Sequence, residues 1–117
     1  MIVGVPKEVK LDEYRVGMLP VGAEEMCRAG HQVLIEKGAG LGSGLPDQEY
    51  ANAGAEIIDS RDDIYARADM IIKVKEPLPE EFPHIRAKQL LFTNFHFAAD
   101  REVTQAIIDS GRTCVAY

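Results

Sequence analysis

The sequence predicts an α/β domain in which a mostly parallel sheet is flanked by helices. Two observations lead to this prediction. Short apolar runs rich in β-branched residues recur along the chain, and segments with helix start and stop signals lie between them. The chain has 117 residues, which is enough for one domain with its own core. We therefore treat residues 1–117 as a single domain.

Six segments have the composition of strands. Two of them, 69–75 and 89–95, have the length and apolar content of buried strands. The stretch between these two, Glu76 to Lys88, carries three prolines and is about the minimum for a crossover between parallel strands. We therefore expect the two strands to be parallel neighbours. The other strands are expected near 2–6, 31–36 and 112–116, with a weaker one at 55–58.

Helix signals separate these strands. Pro20 suits a first helical position, and Gly30 is expected to end that helix. A second helix is expected near 61–68, because Ser60 and Asp63 have the spacing of a capping box. A third helix is expected to begin at Arg101 and to end at Gly111.

A glycine-rich segment, Gly38–Gly44, follows the second strand and invites comparison with a dinucleotide fingerprint. The spacing G-x-G-x-x-G requires glycine where Ser43 stands, and Pro46 and Asp47 intervene before any helix. Phosphate binding needs a helix N-terminus directly after the turn. We therefore predict no cofactor-binding residues here, and instead a tight loop that lines a site. Metal-ligand spacing is also lacking in the sequence.

The charge balance restricts the partners. Thirteen basic residues stand against 19 acidic ones, for a net charge of -6. This balance argues against nucleic acid and against a polybasic membrane anchor. The first residues read directly as a strand, with neither a basic region nor a cleavage pattern ahead of them. We expect a cytoplasmic protein without a membrane partner.

Three side chains with useful chemistry are predicted to meet at one edge of the sheet. Lys75 ends one buried strand, His96 follows the next, and Arg15 lies in the loop after the first strand. The carboxyl ends of parallel strands share an edge, and open α/β sheets bind their ligands there. A guanidinium, an ammonium and an imidazole at one edge suit a small carboxylic acid with a reactive carbonyl.

Each of these residues also has a purely structural interpretation. Arg15 could be a solvated loop residue that pairs with Asp12 or Glu13. Lys75 could be a strand-end lysine in water. His96 lies between two phenylalanines and could be a packed histidine. Convergence at one edge favours the functional interpretation of the three together.

Several segments carry a family resemblance that covers essentially the whole chain. They are Gly4-Val5-Pro6-Lys7-Glu8, Glu13-Tyr14-Arg15-Val16, Pro20-Val21-Gly22, Gly38-Ala39-Gly40, Lys73-Val74-Lys75-Glu76-Pro77 and Leu91-Phe92-Thr93 through His96. At these residues the chain resembles the N-terminal domain of the alanine dehydrogenase family, which also contains the nicotinamide nucleotide transhydrogenase alpha subunit. The resemblance implies a Rossmann-like sheet.

The resemblance also implies roles for the three residues. Arg15 and Lys75 would hold the carboxylate and carbonyl of the substrate, and His96 would transfer the proton, with Lys75 and His96 counted as catalytic. The transhydrogenase branch generally lacks the matching lysine and histidine, so these two residues favour alanine dehydrogenase. The implied reaction converts L-alanine, NAD and water to pyruvate, ammonia and NADH.

The family's NAD-binding domain follows this region and is absent from the 117 residues. We therefore expect NAD as the cofactor of the complete enzyme, none bound by this chain alone, and no turnover without a partner. The expected ligand is pyruvate or L-alanine, and the expected assembly is a homo-oligomer or a complex with a separate cofactor-domain chain.

Three alternatives stay open. The chain could be a non-catalytic, truncated module that binds a small acid or a protein. It could be the substrate half of a split dehydrogenase or transhydrogenase. It could also belong to another dehydrogenase of the same superfamily, such as one acting on saccharopine.

Overall fold

The computed structural model of the chain describes residues 1–86, 89–94 and 113–116. Its sheet contains six strands, and all neighbouring strands run parallel. The order across the sheet is β3-β2-β1-β4-β5-β6. The strands are β1 (Ile2–Val5), β2 (Gln32–Glu36), β3 (Glu56–Ile58), β4 (Met70–Lys75), β5 (Leu90–Asn94) and β6 (Thr113–Ala116).

This topology confirms the predicted α/β class and the parallel pairing of the two apolar strands, β4 and β5. The chain builds one half of the sheet outward from β1, then returns past β1 to build the other half with β4. The order therefore reverses between β1 and β4. Ligands of open α/β sheets bind at such a reversal, beyond the carboxyl ends of the strands. The loop after β1 and the end of β4 therefore flank the position where a ligand is expected.

Within the described residues, three helices connect the strands: α1 (Pro20–Arg28), α2 (Asp47–Asn52) and α3 (Arg61–Arg67). Helix α1 begins at Pro20 as predicted, and Gly30 ends it with a φ of 93° while its N–H donates to the carbonyl of Cys27. Helix α3 also begins where expected, but Ser60 makes no side-chain capping bond. The capping box was therefore wrong, although the position of the helix start was right.

Helix α2 is absent from the sequence-based expectations, in which Pro46 and Asp47 only intervene before any helix. Pro46 is in fact the extended residue just before the helix, and Asp47 and Glu49 supply negative charge to its first turn. Tyr50 anchors the helix because its ring is fully buried and its hydroxyl donates to the carbonyl of Met18 at 2.6 Å. One buried aromatic side chain thus stabilises a helix too short to show periodicity.

The sheet buries apolar residues on both faces, as expected for parallel strands covered by helices. Strand β2 illustrates this, since Val33, Leu34 and Ile35 are all buried. The core on the α3 face contains Leu34, Ile58, Ile64, Tyr65, Ala68, Ile71, Ile85 and Leu91. The core on the face of α1 and α2 contains Val5, Ala23, Val33, Ile35, Ala39, Tyr50 and Ala55.

The helix expected from Arg101 to Gly111 lies outside the described residues. Within residues 1–86, 89–94 and 113–116, no helix has the length and apolar character needed to cross a membrane.

Candidate functional site

Arg15 lies in the long loop after β1, and its side chain is 66% exposed. The carboxylate of Glu13 accepts two hydrogen bonds from its guanidinium, from Nε to Oε2 at 2.9 Å and from Nη2 to Oε1 at 2.8 Å. Oε2 also accepts the backbone N–H of Arg15 at 3.0 Å. The structural alternative for Arg15, a pair with Glu13, is therefore present. The side chain is oriented by a neighbour two residues away.

Both predicted substrate-binding cations affect the pKa of the Glu13 carboxyl group. Hydrogen bonds from the Arg15 side chain are the main cause that lowers the pKa of Glu13 to about 2, and burial opposes them. The backbone N–H of Arg15 and the charges of Arg15 and Lys75 lower this pKa further. The charges of Arg15 and Lys75 thus both act on one carboxylate of the chain, with Arg15 as the main cause.

Lys75 is the last residue of β4 and is half-buried. Its backbone N–H donates to Oε1 of Glu8 at 3.1 Å, and its carbonyl accepts a hydrogen bond from Oγ1 of Thr93 at 2.9 Å. The neighbouring N–H of Val74 donates to Oε2 of Glu8 at 3.0 Å. Side chains from two other segments therefore fix the backbone from which the ammonium group of Lys75 extends.

His96 lies outside the described residues, and so the structure does not test its position. The backbone of Asn94, two residues earlier, pairs in register with that of Lys75, after an irregularity in the pairing of β4 with β5. The carboxyl ends of these two strands are therefore adjacent, as the sequence predicted.

A cleft of about 420 Å³ opens beside Arg15. It lies between the loop 7–15 and the glycine-rich segment, and Lys75 is not among the residues that line it. Leu11, Tyr14 and Leu41 form an exposed apolar part of its wall. The cleft is therefore lined by the predicted arginine but not by the predicted lysine.

The glycine-rich segment is shaped by packing. A Cβ atom on Gly42 would lie 2.6 Å from the carbonyl oxygen of Tyr14, and Oγ of Ser43 donates to that same oxygen at 3.0 Å. The N–H of Gly38 donates to the carboxylate of Asp47 at 2.8 Å. These contacts hold the segment against the loop that carries Arg15. The N–H of Gly38 therefore already has a carboxylate partner, and Asp47 and Glu49 give the first turn of α2 a negative charge.

A buried charged cluster beside this edge was missed in the sequence. It consists of Glu8, Lys73, Glu81 and Tyr65, and we call it the β4 clamp.

In the β4 clamp the ammonium of Lys73 lies 3.4 Å from Oε1 of Glu8 and 3.3 Å from Oε2 of Glu81. The hydroxyl of Tyr65 donates to Oε2 of Glu81 at 2.8 Å, and the pKa of Tyr65 is well above 10 because of burial and the adjacent Glu81 charge. The one available signal was a lysine inside an apolar strand, since a buried lysine requires partners.

Within the described residues, no cluster of three or more histidine, cysteine, aspartate or glutamate side chains has a geometry that could hold a metal ion.

Comparison with protein families gives a match over residues 4–117 to the model described as alanine dehydrogenase/PNT, N-terminal domain. Among curated relatives, alanine dehydrogenases from Methanococcus maripaludis and Bacillus subtilis are each 50% identical over all 117 residues. The alanine dehydrogenase of Mycobacterium tuberculosis is 46% identical over the same length. The chain spans 31–32% of the length of these relatives.

Solved structures of an alanine dehydrogenase and a transhydrogenase also match the chain. An L-alanine dehydrogenase matches all of the chain with a TM-score of 0.97 and 47% identity, and 32% of that protein is covered. A transhydrogenase from Sinorhizobium meliloti matches 99% of the chain with a TM-score of 0.91 and 32% identity, and 33% of that protein is covered. The similarity is therefore to the N-terminal third of longer proteins.

Proposed function

We propose, from the premise that the chain belongs to the alanine dehydrogenase/PNT N-terminal domain family, that it is the substrate-binding part of an NAD-dependent alanine dehydrogenase. The reaction would convert L-alanine, NAD and water to pyruvate, ammonia and NADH. The observation that carries this proposal is the fork of hydrogen bonds from the Arg15 guanidinium to the carboxylate of Glu13, in a chain that is 50% identical over its whole length to alanine dehydrogenases. An edge that already stabilises one carboxylate is suited to the carboxylate of a small acid.

Each residue has a proposed role. Arg15 would bind the substrate carboxylate, and its fork of donors suits a planar acid. Lys75 would hold the carbonyl oxygen of pyruvate and stabilise the charge that develops there. His96 would accept the proton as alanine is oxidised and help to activate water at the imine carbon. NAD would accept the hydride when it is bound, and its binding site would lie outside this chain.

Binding is tested with the 117-residue chain by NMR titration with pyruvate. We expect shifts centred on Arg15, Lys75 and His96, and Arg15→Ala should remove most of the affinity, since such charged contacts are worth about 1.5–3 kcal/mol. Arg28→Ala is the matched control, because the Arg28 side chain is 67% exposed and also pairs with carboxylates, but lies on α1. Shifts clustered elsewhere, or equal losses in both variants, would contradict the site.

Chemistry is tested by fusing the chain to the C-terminal part of a related alanine dehydrogenase. NAD-dependent oxidation of L-alanine should then appear. His96→Ala should lower turnover roughly 10²–10⁴-fold, the usual contribution of a positioned acid–base group. Lys75→Ala should also raise the Michaelis constant, because Lys75 would hold the substrate as well.

Two outcomes of these tests would change the assignment of the function or of a residue's role. Pyruvate binding without turnover in a folded fusion would favour a non-catalytic module that binds small acids. Near-normal turnover of His96→Ala in an active fusion would make His96 a packed histidine.

Light scattering tests the proposed homo-oligomer, since a clean monomer at high concentration would contradict it.

A further inference from the structure

We propose that Glu8 is a positioning residue for Lys75, a role that rests on the proposed function because Lys75 is there the carbonyl-binding group. Glu8 comes three residues after the end of β1 and lies in the same loop as Arg15. Its carboxylate crosses to the end of β4 and accepts the consecutive N–H groups of Val74 and Lys75, at 3.0 and 3.1 Å.

Burial and charge make the contact between Glu8 and the end of β4 rigid. The side chain of Glu8 is 1% exposed, and Lys73 supplies the positive charge that a buried carboxylate requires. Hydrogen bonds that an ionised carboxylate accepts are stronger than those between neutral groups. Two such bonds to adjacent N–H groups fix both the position and the tilt of the peptide plane that leads into Lys75.

The carbonyl side of Lys75 is fixed as well. Thr93 is buried and donates its hydroxyl hydrogen to the carbonyl of Lys75 at 2.9 Å. Strand pairing between β4 and β5 is irregular between Ile72 and Lys75, so the regular ladder does not define this backbone by itself. Glu8 therefore supplies hydrogen-bond acceptors at the point where the strand pairing is irregular.

The geometry also links the two halves of the proposed site. Lys10, two residues beyond Glu8, pairs with Glu76, one residue beyond Lys75. Two ion pairs thus attach the segment between β1 and Arg15 to the carboxyl end of β4. They are Glu8 with Lys73 and Lys10 with Glu76. A shift of β4 would move Lys75 relative to Arg15, and a positioning role of Glu8 would therefore be felt in substrate affinity.

The experiment compares Glu8→Gln with Glu81→Gln. Both variants remove one carboxylate charge from the same Lys73 ammonium, but Glu81 accepts the N–H of Leu78 at 3.0 Å instead of those of Val74 and Lys75. Glu81→Gln therefore matches the loss of charge without touching the peptide of Lys75. Backbone amide shifts, thermal melting and the dissociation constant for pyruvate are measured for both variants and for the wild type.

For Glu8→Gln we expect the amide signals of Val74 and Lys75 to move and pyruvate to bind about tenfold more weakly, equivalent to about 1.4 kcal/mol. For Glu81→Gln the signal of Leu78 should move, the melting temperature should fall, and pyruvate affinity should stay within about twofold of the wild type. This separation of affinity from stability is the result that a merely structural role would not give.

Two results would overturn the inference. One is pyruvate affinity in Glu8→Gln within twofold of the wild type. The other is an equal loss in Glu81→Gln, which would assign the effect to the charge cluster as a whole. If Glu8→Gln does not fold, Glu8→Asp replaces it, because the charge near Lys73 is kept while the shorter side chain loses its reach to the two N–H groups. Glu8→Asp should then bind pyruvate about tenfold more weakly than the wild type, and affinity within twofold would overturn the role.

Failure of the wild type to bind pyruvate would defeat the proposed function instead. Only the structural part of the inference, that Glu8 fixes the backbone of Lys75, would then be decided, and the amide signals would decide it. Unmoved signals of Val74 and Lys75 in the Glu8 variant would overturn it, and moved signals would uphold it.

Discussion

Arg15 and Lys75 are the two cations of the proposed site within the described residues, and they are held in opposite ways. Arg15 is exposed and is oriented by Glu13, a neighbour two residues away in the same loop. Lys75 extends from a backbone fixed by Glu8, which is 67 residues away in the sequence and buried. The local pair can open without disturbing the core, whereas the long-range contact is part of the core.

This difference separates two kinds of electrostatic contribution. An ion pair with a solvent-exposed partner, such as that of Arg15 with Glu13, contributes little to stability because solvent screens it. The buried β4 clamp carries a large penalty whenever one partner is removed. Stability and ligand binding should therefore respond to different residues at the same edge of the sheet, and four tests examine this expectation.

The largest effect is expected for Lys73→Met, which removes the ammonium and keeps the volume of the side chain. Two buried carboxylates, Glu8 and Glu81, would then lack their cation, and the free energy of unfolding should fall by about 3–5 kcal/mol. Urea unfolding measures this loss. Lys37→Met, at an exposed lysine, is the control and should change stability by less than about 0.5 kcal/mol. A loss below about 1 kcal/mol in Lys73→Met would show that the carboxylates adapt without the ammonium.

The second effect concerns Tyr65→Phe, which removes only a hydroxyl group. Its carboxylate partner Glu81 is fully buried and would lose a donor that lies 2.8 Å away, so a loss of about 1–3 kcal/mol is expected. Tyr14→Phe serves as the control, because the hydroxyl of Tyr14 is exposed and its bond to Asp12 is long, at 3.2 Å. Equal effects of the two substitutions would break the distinction between the buried and exposed regions.

The same distinction explains how much the sequence predicted. Strand positions, parallel pairing and the adjacency of β4 and β5 follow from composition and from the short crossover, and these predictions are confirmed. The pair of Arg15 with an acidic neighbour was also foreseen as an alternative, because it depends on residues two positions apart.

The long-range features were not predictable in this way. The partners of Lys73 lie far from it in the sequence or inside the proline-containing crossover, and no local pattern joins them. Helix α2 spans only Asp47–Asn52 and is stabilised by the burial of Tyr50, so it shows no periodicity. Tertiary contacts decide such features, and a single sequence does not reveal them. The role of His96 stays a prediction.

The third test sharpens the comparison through pH. The pKa of Glu13 is about 2 in the folded chain, against an ordinary value of 4.5. The stability that Glu13 contributes is therefore present above pH 4.5 and is lost as the pH falls through about 2. A carbon-13 NMR titration of the Glu13 carboxyl group measures its midpoint. Arg15→Ala should return the midpoint most of the way towards 4.5, and Lys75→Ala should raise it less, because Arg15 is the main cause. An unchanged midpoint of Glu13 in Lys75→Ala would show that the charge of Lys75 does not act on the Glu13 carboxylate.

The smallest effect is expected at Glu36, which lies at the end of β2 and is half-buried. Its carboxylate accepts the backbone N–H of Lys7 at 3.0 Å, but burial outweighs this bond and the nearby cations and raises its pKa above 4.5. A raised pKa means that Glu36 stabilises the fold in its neutral form, and that this contribution is lost as the pH rises through the folded value. Glu36→Gln keeps an acceptor for Lys7 and removes the charge. It should therefore stabilise the chain by about 0.5 kcal/mol at pH 7 and have no effect at pH 3, as measured by urea unfolding at both values. A destabilised variant at pH 7 would mean that the charge of Glu36 is favourable, and that a half-buried acid at this edge behaves like Glu13.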